Sequence, residues 1–497
     1  MLSDDVLLEI FDLYQRNYRP DNIFYESSDA WYWQKDWHIL AHVCQRWRQV
    51  VFASPLRLNL QILCTYGTPV RKNLYIWPTL PIAIGYLHSI TKGIDEDNLI
   101  AALELPDRVS AIGLHQVTGP QLRKVITVMQ EPFSALENLE LHTGDKPNDV
   151  PVLPPKFLGG SAPRLQTIDL YGIPFPALPT LLLSTTDLVM LYLFNIPQTG
   201  YIPPEAMVVA LDTLTRLEVL HIGFQSPASR PDQIHVMMPP TTRTVLPALN
   251  VFEFRGVREY LEVFVARIDA PLLNSITINY FNQLADFEVP QLWQFIDHSG
   301  DLNRPMRCLV EFQADHVTLC ASPAIHIPES KSFEFFPRCM NVNIRCEGID
   351  WQVSRISQAI NQISAVLSNV AHVDIGFSSI SAESEDTDDI KWLQLLRPFP
   401  SAQTLIVSGS FAGHVSHALE ASVIPGGVVT EVLPVLEMLC LEGQHVSSVH
   451  KFIAARSESS HPVTTVGVMT HAMSLDLHLF FSFDSPSLLH PFPCLRP

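Results

Sequence analysis

The chain has 497 residues, 32 Lys and Arg against 51 Asp and Glu, a formal net charge of -19, and 47% hydrophobic residues. That length suggests about three domains or one long repeat array, and the apolar content supplies a large core, which excludes a globally disordered chain. So negative a charge excludes the basic footprint that nucleic acid and anionic membrane surfaces require, and it leaves acidic faces free to select basic partners.

The chain opens with "LSDDVLLEIFDLY", an amphipathic helix. Ser3 serves as its N-cap, Asp4 and Asp5 sit in the first turn where acids suit the helix dipole, and Val6, Leu7, Ile10, Phe11 and Tyr14 share a face opposite Asp5, Glu9 and Asp12. These first residues carry acid where a secretory signal carries base, and their apolar run is short, so no signal peptide is expected. The polar and aromatic stretch "QRNYRPDNIFYESSDAWYWQKD" has no sustained period and reads as a loop. It leads into a second amphipathic helix, "WHILAHVCQRWRQVVFASP", with Leu40, Val43, Cys44, Trp47, Val50 and Val51 on one side and Gln45, Arg46, Arg48 and Gln49 mostly on the other. Two short helices and a loop are near the lower size limit for independent folding. Their apolar stripes must therefore dock onto the rest of the chain or form a helical socket for a partner protein.

These residues carry a resemblance. "LSDDVLLEIFDLY…WHILAHVCQRWRQVVFASPLRLNL" resembles an F-box, the small helical module that binds the Skp adaptor of cullin-based ubiquitin ligases; the matching positions are Leu2, Asp5, Leu7, Ile10 and Phe11, then Leu40, Val43, Cys44, Trp47 and Arg48. The following "TPVRKNLYIWPTLPIAI" resembles the segment after the F-box in many proteins of mushroom-type fungi. The family usually has Leu-Pro where this chain has Leu2-Ser3, and the loop between the two halves is long. Losing the proline removes a rigid helix start, although serine is a good cap. The resemblance implies that Trp47 packs within the module's core while neighbouring apolar side chains meet the adaptor.

From about residue 80 one pattern returns: apolar, two others, apolar, one other, apolar. It appears as Val109-Ile112-Leu114, Leu136-Leu139-Leu141, Leu165-Ile168-Leu170, Leu188-Leu191-Leu193, Leu217-Leu220-Ile222, Leu249-Phe252-Phe254, Leu273-Ile276-Ile278, Val370-Val373-Ile375 and Leu436-Leu439-Leu441. Many copies follow a polar-proline approach, as in "SAPRLQTIDL" and "DAPLLNSITI". Starts lie roughly 23 to 32 residues apart as far as Leu273, a spacing that fits a leucine-rich repeat or a close relative. Short helical stretches sit between the strands: "DEDNLIAAL", "PQLRKVITVMQ" and "PPEAMVVALDTL". One strand and one helix per unit predicts an α/β solenoid, a horseshoe lined by a parallel sheet, in preference to a doubly wound domain, for which no glycine-rich phosphate turn appears. The asparagine that usually follows the strand in leucine-rich repeats is largely missing, and residues between about 300 and 366 cannot be phased. The expected organisation is an F-box over 1–63, a linker and atypical first unit over 64–104, the solenoid over 105–483 and a disordered tail over 484–497. The run "PTLLLSTTDLVMLYLFNIP" is the one candidate membrane span, but it contains Asp187 and is closed by prolines, so no membrane association is expected.

Catalytic constellations are missing. The sequence has no HExxH, GxSxG, GxxxxGK or GxGxxG. His414-His417 and His445-His450 have no further ligand at metal-ligand spacing and read as surface or capping histidines; "SAESEDTDD" reads as a solvated loop rather than a metal site. Cys339 and Cys346 bracket a strand-like "MNVNIR" and read as packing residues. The eight cysteines are scattered, without CxxC, and no N-x-S/T sequon occurs, which points to a reducing compartment, cytoplasmic and/or nuclear.

The sequence is thus expected to encode no enzyme and to need no cofactor or metal. The expected role is a substrate receptor of a Skp–cullin–F-box type ubiquitin ligase, with a non-ligase repeat scaffold as the alternative; the Skp adaptor, the cullin core and an unknown target protein are the expected partners, with no nucleic acid and no membrane. In a period-two strand the residues between the buried positions face the open side. Asn138, Glu140 and His142, Asp169 and Tyr171, Tyr192 and Phe194, His221, Glu253 and Arg255, and Asp374 are therefore expected to line a stripe that mixes acid with aromatic rings and suits a basic, partly apolar segment.

Overall fold

A computed structural model describes residues 2–16, 37–54, 61–77, 79–86, 93–146, 149–227, 243–281, 288–299, 302, 304–323, 339–377, 388–409, 411–424, 428–429, 432–442, 448–457, 461–469 and 479–482. The loop expected over residues 15–36, most of the acidic run from Ser381, His445 and the tail from 484 lie outside the described residues or at their edge. The chain divides into two compact units, Met1–Asp232 and Gln233–Pro497.

The first unit begins with helices α1 (Asp4–Arg16), α2 (Trp37–Val43) and α3 (Gln45–Ala53). A ladder of seven strands follows: β1 (Ile62–Cys64), β2 (Ile82–Tyr86), β3 (Val109–Val117), β4 (Asn138–Thr143), β5 (Thr167–Tyr171), β6 (Met190–Ile196) and β7 (Val219–Phe224). Each strand pairs parallel with the next in sequence order. Helices α4 (Val70–Ile76), α5 (Gly93–Leu103), α6 (Gly119–Val128), α7 (Leu178–Leu182) and α8 (Pro204–Leu211) make crossovers; a short 3-10 turn at Phe157–Gly160 lies between β4 and β5. The register stacks Ile84, Ile112, Leu139, Ile168, Leu191 and Leu220 in one row. Every residue of the nine apolar triplets is buried. The first member of several triplets also closes a turn, as Leu165 N–H donates to the Ala162 carbonyl at 3.2 Å and Leu273 N–H to Ala270 at 3.2 Å. The proline-bearing approach is therefore a tight turn that sets the strand's entry. The candidate membrane span resolves into α7 and β6, and no helix among the described residues is long and apolar enough to cross a membrane.

The second unit carries β8 (Thr244–Val245), β9 (Val251–Gly256), β10 (Ile268–Asp269), β11 (Ser275–Tyr280), β12 (Arg307–Phe312), β13 (His316–Ser322), β14 (Cys339–Arg345), β15 (His372–Phe377), β16 (Thr404–Val407), β17 (Val423–Ile424), β18 (Val428–Val429), β19 (Met438–Glu442), β20 (Thr465–Met469) and β21 (Leu479–Ser482). Its helices are α9 (Arg258–Val265), α10 (Pro290–Asp297), α11 (Ile349–Gln362), α12 (Ser364–Leu367), α13 (Asp389–Leu396), α14 (Phe411–Ala421) and α15 (His450–Ser457). The main sheet runs β9-β11-β14-β13-β12-β15-β16-β19-β20-β21. Strand β13 is antiparallel to both neighbours, and β12 and β14 have exchanged the places that sequence order would give them. That exchange explains why the segment between 300 and 366 loses its phase. Aromatic rings fill the core beneath, with Phe312 4.8 Å from Phe411 and 5.7 Å from Trp392.

Candidate functional site

The helical end of the first unit differs from the sequence reading first in its helix boundaries. The helix expected from Trp37 to Pro55 is broken at Cys44, whose backbone is extended (φ -158°, ψ 169°) and whose Sγ caps α3 by accepting from Trp47 N–H at 3.4 Å. An extended residue resets the helical phase, so Val43 and Cys44 are exposed instead of joining the apolar side. The small core holds Leu7, Leu8 and Phe11 from α1, Leu40 and Ala41 from α2, and Val50 and Val51 from α3. Trp47 is half-buried, its ring edge-on to Phe11 at 4.8 Å. Arg46 pairs with Asp4 at 2.8 Å and Arg48 Nε donates to the Ala41 carbonyl at 3.0 Å, tying α3 to α1 and α2. Asp5 is exposed.

Helix α1 is apolar on a second side as well. Val6, Ile10 and Leu13, spaced i, i+4 and i+7, are exposed, as are Leu2 and, on α2, Ile39 and Val43. Sequence periodicity grouped Val6 and Ile10 with Leu7 and Phe11; the structure separates them, because a helix this apolar has a stripe too wide for one small core. Exposed apolar residues spaced along one side of a helix make a candidate interaction surface.

The second candidate surface is the face of the strand ladder opposite the buried triplets. In the first unit one row runs Gly85, Gly113, Glu140, Asp169, Tyr192 and His221, and the adjacent row runs His142, Tyr171 and Phe194. Asn138 lies in the row before, beside Thr167. His115, which the sequence reading left out, joins the second row. Its Nδ1 lies 2.9 Å from His142 Nδ1. His115 Nε2 is 3.2 Å from Glu140 Oε2, and His142 Nε2 is 3.0 Å from Asp169 Oδ2. Both contacts are within ion-pair distance but off the hydrogen-bond line, and Asp169 Oδ1 is buried without a hydrogen-bond partner. Rings continue the row: His142 to Tyr171 at 5.9 Å, Tyr171 to Phe194 at 6.3 Å, Tyr192 to Phe194 at 5.8 Å, and Phe194 to His221 at 3.9 Å.

The row ends where the backbone turns left-handed: Gln116 (φ 57°), Gly172 (φ 69°) and Asn195 (φ 50°) follow His115, Tyr171 and Phe194 directly. At Gln116 and Asn195 the strand register also shifts. These are bulges that terminate pairing and re-aim the chain just past the ring-bearing positions. His115 was readable all the same, since it follows Leu114 as His142 follows Leu141 and Tyr171 follows Leu170.

In the second unit the predicted stripe residues are tied to neighbours. Glu253 accepts from Asn279 Nδ2 at 3.4 Å, Asn279 Oδ1 accepts from Asn343 at 2.6 Å, and Thr318 Oγ1 donates to Asn343 Oδ1 at 2.5 Å, a polar chain crossing four strands. Arg255 lies over the Phe281 ring at 5.8 Å. Asp374 is buried and held by Arg307 Nε at 2.5 Å, so its charge is already matched within the fold.

Elsewhere, His417 Nδ1 is 2.6 Å from Asp389 and His414 stacks on Trp392. Among the described residues no group of three or more His, Cys, Asp and Glu is arranged to hold a metal ion. Cys339 and Cys346 are buried. A hydrogen bond with Cys339, reinforced by burial, holds Cys320 as the thiol, and burial pushes Cys346 up to about 11. No protein-family model and no curated protein matches the chain.

Proposed function

We propose that the protein is a substrate receptor of a Skp–cullin–F-box type ubiquitin ligase, in which α1–α3 act as the F-box and the strand–helix units form a leucine-rich-repeat-like solenoid that holds a target protein. The observation that carries this reading is the second apolar side of α1. A module that buries Leu7, Leu8 and Phe11 while exposing Val6, Ile10 and Leu13 has apolar surface beyond what its own fold uses. A partner helix or loop laid on that surface would gain about 25 cal/mol per Å² of apolar area removed from water. Such a receptor performs no bond chemistry; it raises the effective concentration of target lysines beside a ubiquitin-charged conjugating enzyme.

The open sheet face supports the target-holding half of the reading, because its side chains mix rings with carboxylates as protein-binding surfaces do. Affinity purification of the tagged protein from its native cell tests the whole. Recovery of Skp and cullin subunits, lost on changing Ile10 and Val43 to Asp, is the expected result. Recovery of other proteins without ligase subunits would leave the repeat scaffold as the better description, and transfer of ubiquitin to a bound protein would separate receptor from scaffold.

A further inference from the structure

We propose that the open face of the first unit is a seat for an arginine side chain of a basic segment, held between the Glu140–His115–His142–Asp169 chain and the rings of Tyr171, Tyr192 and Phe194. The proposal rests on the target-holding reading above and adds the chemistry of what is held.

The first support is charge. The 2.9 Å contact between the two Nδ1 atoms needs one N–H and one lone pair, so in this geometry at least one of the two imidazoles is neutral. Two carboxylates against at most one imidazolium keep the four side chains net negative. No lysine or arginine occupies the rows that carry them on β2 to β7: the neighbouring positions are Gly85, Gly113, Tyr192 and His221 in one row and Tyr171 and Phe194 in the other. The Asp169 side chain keeps 16% exposure, so an N–H donor from outside can reach this carboxylate.

The second support is shape, which selects arginine over lysine. Tyr192 stands directly beside Asp169, and Tyr171 directly beside His142, so a cation at the carboxylate has aromatic rings at the neighbouring positions. Tyr171 is 41% exposed, so a partner can reach its ring. A guanidinium stacks on such rings and donates in its own plane, whereas an ammonium is a compact, strongly hydrated point charge.

The test uses the full chain and three capped octapeptides that alternate glycine with arginine, lysine or citrulline, followed by fluorescence anisotropy. The arginine peptide is expected to bind at least ~5-fold more tightly than the lysine peptide, and the citrulline peptide not to bind. Tyr171→Ala and Asp169→Asn should each weaken the arginine peptide ~10-fold, while Glu104→Gln, at an exposed acid off this face, leaves it unchanged. Because Tyr171 is exposed, its variant keeps the fold if Asp169→Asn does not. Equal binding of lysine and arginine peptides, or equal weakening by Glu104→Gln, would show diffuse attraction to an acidic protein and overturn the proposal. So would unchanged binding in Tyr171→Ala. Adaptor binding measured on the same samples is independent of these outcomes, so failure of the arginine seat and failure of the receptor reading are read separately.

Discussion

Replacing Ile168 by Ala tests how the ladder of the first unit stores its stability. Ile168 is fully buried in β5 and stands in register between Leu139 on β4 and Leu191 on β6. The change removes three carbons, about 2.4 kcal/mol at about 0.8 kcal/mol each, and leaves a cavity. Backbone hydrogen bonds pin the site on both sides, so it collapses poorly, and the total approaches ~4 kcal/mol within the range for such truncations. In a chain of stacked units this loss falls on the altered unit and its nearest neighbours. Hydrogen exchange of the native protein is the assay. Amides of β4, β5 and β6 are expected to exchange up to ~1,000-fold faster, with β2 close to its original protection. A uniform loss over all strands would refute the nearest-neighbour reasoning and point to one indivisible core. A loss below ~1 kcal/mol would show that Ile168 is not closely packed.

Three further outcomes follow from the same structure. Trp47→Ala is expected to cost ~2–3 kcal/mol, less than truncation of a fully buried aromatic, because the ring is half-buried and its main partner is Phe11; thermal unfolding with an α1–α3 reporter reads the loss. Among the described cysteines, native alkylation should label exposed Cys44 first, while Cys64, pushed up to about 12 by burial, and Cys440, pushed up to about 11 by burial, resist until the protein unfolds; mass spectrometry of partly labelled protein decides it. Arg307→Met should destabilise the second unit by ~3 kcal/mol and by more than Asp374→Asn, since it leaves a buried carboxylate without its 2.5 Å partner; the reverse order in denaturant midpoints would contradict the pairing.

The repeat was legible because burial imposes it. All nine triplets point inward, and period-two alternation then fixes which residues stand on the other face. That rule placed Glu140, His142, Asp169, Tyr171, Tyr192 and Phe194 side by side, and applied to β3 it also yields His115. It could not show that Asp374 is spent on Arg307, which comes from a strand whose place the sequence does not contain, or that Glu253 accepts from Asn279, because the triplets fix the face a side chain stands on and not the neighbour it bonds. The exchange of β12 and β14 about antiparallel β13 is the same difficulty at larger scale. In the helical module the break at Cys44 was hidden because cysteine is a weak cap and the apolar periodicity runs through it. The two apolar sides of α1 merged into one broad stripe for a related reason: periodicity reports which residues avoid water, not which of two surfaces they serve.

Direct binding between the purified 497-residue chain and a purified Skp adaptor, by calorimetry, bears most closely on the receptor reading. A one-to-one complex with a Kd at or below about 1 µM is predicted. Ile10→Asp and Val43→Asp, both at exposed positions and so with little effect on unfolding, are predicted to abolish it. Absence of binding by the unaltered protein at ~50 µM, or binding that both variants retain, would contradict the account.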